Sequence, residues 1–186
     1  MRLSPIGWAL RPLKNYAKFS GRASRAEFWW FFLFLFLLYI VVWIGMVAIL
    51  GMSAASGSPP SLGVLGAFGF AGICMVLFWL AMIIPTIAVQ VRRLHDTDRS
   101  GWWVGGFYLG YIAYIVLMFA TIASLVPTDG SPPNLDSASG IGIQVFGLLF
   151  FVYSIALLVF FCMRGTQGPN RFGDDPYGAN IEEVFA

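Results

Sequence analysis

The residues of this chain that could do chemistry fall in three short polar stretches. His95 is the only histidine and stands beside Asp96 in "RRLHDTDRSGWW". An imidazole next to a carboxylate can serve as an oriented base or as a metal ligand. Glu27, in "GRASRAEFWWFF", and Asp174 and Asp175, in "RGTQGPNRFGDDPYG", are further carboxylates that could share acid–base or metal work. No catalytic spacing accompanies them: the chain has no HExxH, no GxSxG and no phosphate-cradling loop. No catalytic residue, metal site or cofactor is therefore assigned, and an enzymatic reading rests on His95 and Asp96 alone. Each group also has a structural use. A histidine at a membrane edge commonly holds a hydrogen bond, and adjacent aspartates can neutralise Arg22, Arg25, Arg92 or Arg93. Cys74 and Cys162 sit in apolar runs without metal-ligand spacing and read as small buried apolar residues rather than a disulfide pair.

The elements that must position these residues are set by composition. Hydrophobic residues make up 59% of the 186, and charged residues only 11%, where soluble domains carry roughly a quarter. A fold so poor in charge needs a bilayer. Four runs, 28–50, 64–89, 102–125 and 141–163, are long and apolar enough to cross about 30 Å of hydrocarbon as helices. None alternates in polarity as a barrel strand would. The first is too long for a cleaved signal core. The expected fold is an all-α integral membrane protein, a single membrane domain over 1–186. It is a small bundle of four transmembrane helices, with a turn-rich tail at 164–186.

All eleven lysines and arginines lie before the first span, between the second and third, or after the fourth. The loops 51–63 and 126–140 have none and are rich in Ser, Pro and Gly, as connectors are. The positive-inside rule then predicts both termini in the cytoplasm. Ahead of the first span, residues 8–20 set Arg11, Lys14, Asn15 and Lys18 against Leu10, Leu13 and Tyr16. That pattern predicts a short amphipathic helix in the interface, with Pro12 at an early helical position.

The charged edges have a physical grammar. Ser24 and Glu27 form a capping box at the mouth of the first span, each cap contributing about 1 kcal/mol. Asp98 or Ser100 can cap the third span. Trp29 and Trp30, then Trp102 and Trp103, anchor their helices where indole prefers to sit. If the second helix continues past Gln90, Arg92 and Asp96 become i,i+4 neighbours. Pro85 predicts a kink in that helix. Glycines 63, 66, 69 and 72, and 101, 105, 106 and 110, predict close helix contacts within or between chains.

Three motifs, "SGRASRAEFWW" (Ser20–Trp30), "VRRLHDTDRSGWW" (Val91–Trp103) and "GPNRFGDDP" (Gly168–Pro176), together resemble those of a bacterial inner-membrane family of unknown function, DUF805. Asp98 stands where a glycine or another small residue is as common in that pattern. The resemblance implies a four-span inner-membrane fold and three cytoplasmic motifs that act together. It implies no reaction.

The favoured functional reading is a non-enzymatic membrane module of the inner (plasma) membrane. Its cytoplasmic cluster of Arg22, Arg25, Arg92, Arg93 and Arg171 would bind anionic lipid headgroups or a protein partner. Ser24, Glu27, Trp29, Trp30, His95, Asp96, Trp102, Trp103 and Asp174 complete the motifs. A homo-oligomer is a further expected partner, and nucleic acid is not. The alternatives are a small transporter or channel built from the glycine-rich faces, and an enzyme using His95 and Asp96.

Overall fold

A computed structural model describes residues 4–55, 61–125 and 138–176. Five helices follow one another: α1 (Pro5–Lys14), α2 (Arg25–Ala55), α3 (Leu62–Asp96), α4 (Trp102–Leu125) and α5 (Ala138–Cys162). The last four are long and apolar enough to span a membrane, as the hydropathy predicts. The helices extend into both expected connectors, 51–63 and 126–140, with α2 continuing to Ala55, α3 starting at Leu62 and α5 at Ala138; residues 56–60 and 126–137, and the tail beyond 176, lie outside the described residues.

The first helix differs from its expected range of 8–20. Ser4 caps it, its hydroxyl accepting from the Gly7 amide at 3.1 Å, and Pro5 occupies the first position, where a missing N–H costs nothing. Pro12 is consequently in the last turns of the helix and buried, not near its start. The helix stops at Lys14 because the Asn15 side chain and backbone amide both turn back to the Arg11 carbonyl. Ala9 and Pro12 face inward while Ile6 faces out. Beyond the helix, the Tyr16 hydroxyl donates to the Ala81 carbonyl of α3 at 2.5 Å.

At about 1.5 Å per residue, the 35 residues of α3 extend roughly 52 Å, well past about 30 Å of hydrocarbon. The last two turns, which carry Arg92 to Asp96, therefore stand clear of the expected span 64–89. The α3–α4 turn is tight: a Cβ on Gly101 would stand 2.7 Å from Val91 Cγ1. Within it Asp98 adopts φ +57°, a left-handed conformation that suits glycine and is tolerated by Asp. Of the two expected caps for α4, Ser100 is the one used, accepting from the Trp102 amide.

The core sits at the basic end of the bundle. Ala23, Phe28, Phe31, Val89, Leu94, Val104, Leu157 and Phe161 form it. Farther along, α4 and α5 form a close hairpin. A Cβ on Gly106 would stand 2.8 Å from the Tyr153 hydroxyl, and one on Gly110 3.0 Å from the Phe150 ring. Phe107 stacks on Phe150 at 5.1 Å. These are the close approaches the α4 glycines predict. Among the described residues, Gly66, Gly69 and Gly72 of α3 have nothing within 4 Å. Cys74 and Cys162 are free and exposed. The expectation that they are buried is corrected: each faces outward from its helix, where a small apolar side chain suits lipid.

Candidate functional site

Adjacent residues on an α-helix point about 100° apart, so Arg92 and Arg93 must serve different neighbours. Arg92 turns to α2, where its Nη1 donates to Glu27 Oε1 at 2.7 Å. Arg93 turns to α5. Its Nε donates to the Phe161 carbonyl at 3.0 Å, its Nη2 donates to the Met163 carbonyl, and its Nη1 pairs with Asp96. The last carbonyls of a helix have no intrahelical donors and carry its negative dipole end. A guanidinium there satisfies both needs, and Arg93 is fully buried.

Asp96 receives a second arginine from the first motif. Arg22 Nε and Nη2 each lie 2.9 Å from Asp96 Oδ1. The same guanidinium donates to the Gly168 and Thr166 carbonyls at 2.6 and 2.5 Å. Backbone bonds complete the knot: the Ala23 amide donates to the Arg92 carbonyl, and the Thr166 amide to the Asp96 carbonyl. Asn170 Nδ2 donates to the His95 carbonyl at 2.9 Å. All three motifs thus converge on the end of α3. Gly165 allows the fit, because a Cβ there would lie 2.6 Å from Asp96 Cγ.

Three buried arginines (Arg22, Arg92, Arg93) thus meet two buried carboxylates (Glu27, Asp96). The surplus positive charge is met by the carbonyls of the α5 end and the tail. Glu27 also has Arg11 of α1 at 3.5 Å, on the more exposed rim. Arg92 is held sparingly: its Nε and Nη2 are buried without a hydrogen-bond partner among the described residues.

Several expectations are refined here. Ser24 does cap α2, accepting from the Glu27 amide at 3.1 Å. The carboxylate of Glu27, however, is committed to Arg92 and Arg11 rather than closing the capping box. Asp96 pairs with Arg93 and Arg22, not with Arg92 at i,i+4, because Arg92 is drawn away by Glu27. Glu27 and Asp96 are the carboxylates that pair with the buried arginines. Asp174 is exposed, and Asp175 accepts from the Gly168 amide at 3.2 Å.

His95 and Asp96 do not form a dyad. The imidazole stacks on Phe172 at 3.9 Å, nearly parallel, with Nδ1 3.2 Å from the Gly21 carbonyl. Burial pushes His95 below its ordinary range; the Gly21 carbonyl opposes that shift and the Arg171 charge adds to it. Arg171 lies over the other part of this clasp, 4.7 Å from the Phe172 ring and 3.0 Å from Asp98 Oδ1. Among the described residues, no three His, Cys, Asp or Glu side chains are grouped as metal ligands.

Arg25 stands apart from the other expected site arginines. It is exposed and makes no hydrogen bond or ion pair with another described residue. It opens an outward cleft of about 570 Å³ together with Ala26, Trp29, Trp30, Leu33 and Cys162. Trp29, Trp30 and Trp103 are each about two-fifths exposed, and Trp102 more so.

A family model described as a protein of unknown function, DUF805, matches residues 16–174. The inner membrane protein YhaI of Escherichia coli K12 is 32% identical over 93% of this chain and 98% of its own length. The inner membrane protein YhaH of the same strain is 30% identical over 92% and 97%. The uncharacterized protein YiiR is 29% identical over 84% of each chain. No solved structure matches.

Proposed function

The chain belongs to the DUF805 family, with inner-membrane relatives, and from that premise we propose that it is a non-enzymatic module that binds anionic phospholipid headgroups. Its basic end faces the cytoplasm, and Arg25 makes the contact. The observation that carries this reading is the division of labour among the motif arginines. Arg22, Arg92 and Arg93 are consumed internally, whereas Arg25 is exposed, has no partner among the described residues and stands beside Trp29 and Trp30. A guanidinium at that level attracts anionic headgroups, roughly 1 kcal/mol per basic residue. The indoles fix its depth. Arg171, exposed but paired with Asp98, contributes less. The separate engagements of His95 and Asp96 favour this reading over acid–base chemistry.

Native mass spectrometry of protein from bilayers of phosphatidylglycerol and phosphatidylcholine tests it. Wild type retains phosphatidylglycerol preferentially, and Arg25→Ala loses about fivefold of that preference, the factor matching about 1 kcal/mol. Equal retention of both lipids by wild type, or an unchanged preference in Arg25→Ala, sinks the proposal. A protein that co-purifies stoichiometrically and masks Arg25 would replace lipid with a protein partner.

A further inference from the structure

A second pocket, open on one side, lies between the four spanning helices and is lined by residues of each. It measures about 330 Å³ and is lined by Phe32 of α2, Gln90 of α3, Phe107 of α4 and Ser154 and Leu157 of α5. Trp29 lines both this cavity and the Arg25 cleft, so a single indole separates the two. Its volume falls in the range of ligand sites.

Its walls are apolar except for two groups. The Ser154 hydroxyl is spent on its own helix, donating to the Phe150 carbonyl at 2.8 Å. Gln90 is different. Its Oε1 accepts from the Tyr108 hydroxyl at 3.2 Å, and its amide nitrogen donates to no described residue. One free donor in an apolar chamber selects a ligand with an apolar body and an acceptor oxygen at one end. Depth adds a second constraint. Gln90 precedes Arg92 by two residues, about 3 Å of axial rise. The donor therefore sits just inside the charged layer, the level at which a phospholipid carries its ester carbonyls.

We propose that this cavity holds one acyl chain of a glycerophospholipid, with Gln90 Nε2 donating to the ester carbonyl and Trp29 lying between chain and headgroup. The chain site rests on the headgroup reading only for the choice of lipid charge. The apolar walls and the Gln90 donor act on any diacyl lipid, while Arg25 adds the preference for an anionic one.

The test uses full-length protein in nanodiscs containing phosphatidylglycerol or phosphatidylcholine with a diazirine midway along one acyl chain. After irradiation, labelled residues are mapped by peptide mass spectrometry. Label is expected on Phe107 and Leu157 above the level on outward residues such as Val41 and Leu109. Leu158→Trp, on the cavity's half-exposed edge, removes that excess. Gln90→Leu lowers it about fivefold, the factor carried by one hydrogen bond of ordinary net strength. Thermal melts of both variants establish that they fold. Excess label from both lipids, unaffected by Arg25→Ala, would uphold the chain site and defeat the headgroup reading. Uniform label on inner and outer residues, unchanged in both variants, would overturn the chain site even where Arg25-dependent retention persists.

Discussion

Arg92 and Arg93 are adjacent in the chain yet serve different helices, and that difference predicts different consequences of mutation. Glu27 and Arg92 are both almost completely buried. Breaking such a pair on one side leaves an uncompensated buried charge and costs about 3–5 kcal/mol, while replacing both partners with apolar residues of similar volume is far milder. Glu27→Ala should therefore lower the detergent melting temperature sharply, and Glu27→Leu with Arg92→Met should recover much of the loss. The recovery is favoured further because Arg92 Nε and Nη2 are buried without a hydrogen-bond partner among the described residues. A double variant no more stable than Glu27→Ala would contradict the pairing. None of this was legible in the sequence. Glu27 reads there as a helix cap, which its backbone amide does serve, but the partner of its carboxylate lies 65 residues away. Spacing offers neighbours on one helix, and for Asp96 it offers Arg92 where the structure uses Arg93; it is blind to partners across helices. Asp98 is the opposite case. The small residue that the family resemblance implies at that position suits its left-handed backbone.

Elements were the most legible level. Long apolar runs without charge must become spanning helices, so four of the five helices follow from hydropathy. The errors fall at the ends, where polar contacts decide. The start of α1 was signalled by Ser4 and Pro5, a cap and a first-position proline. The continuation of α3 to Asp96 is stabilised by the arginine contacts of its last two turns. The segment after α5 is held to that end by Arg22, by Asn170 and by the His95–Phe172 stack. This docking should depend on pH. Because His95 titrates below its ordinary value of 6.5 when docked, the docked state prefers the neutral ring. Its contribution is complete above the ordinary value and is lost as pH falls through the lowered one. Hydrogen exchange at the Thr166 and Gly168 amides, corrected for intrinsic rates, should show less protection at acidic than at neutral pH. His95→Gln should flatten that dependence. Protection in wild type that ignores pH would rule out His95 as the source.

At the scale of the whole molecule, the buried ionic knot and the basic residues occupy the same end. The chain segments before α2 and after α5 meet there directly, since Arg22 bonds the Thr166 and Gly168 carbonyls. Four spans between those segments return the chain to the side from which it began. The side itself is a matter of charge. The loops 51–63 and 126–140 carry no lysine or arginine, against eleven elsewhere, and the positive-inside rule retains the segments that carry the lysines and arginines in the cytoplasm. The three motifs should then face the cytoplasm together, as headgroup binding in the inner leaflet requires. A green fluorescent protein fused after Ala186 should fluoresce. Alkaline phosphatase fused after Asp129 should be active, and after Ala186 inactive. The reverse pattern would place the arginine knot and the Arg25 cleft on the periplasmic leaflet. The lipid proposal would then have to be tested against the lipids of that face. Reversing the bias should also weaken the native topology, because on the proposed orientation Arg22, Arg92 and Arg93 would serve twice, as topology signals during insertion and as the ionic core afterwards. Lysines added to the 126–140 loop should therefore lower the yield of folded protein rather than produce a stable inverted form. A stable inverted form would show that the knot can assemble on either side.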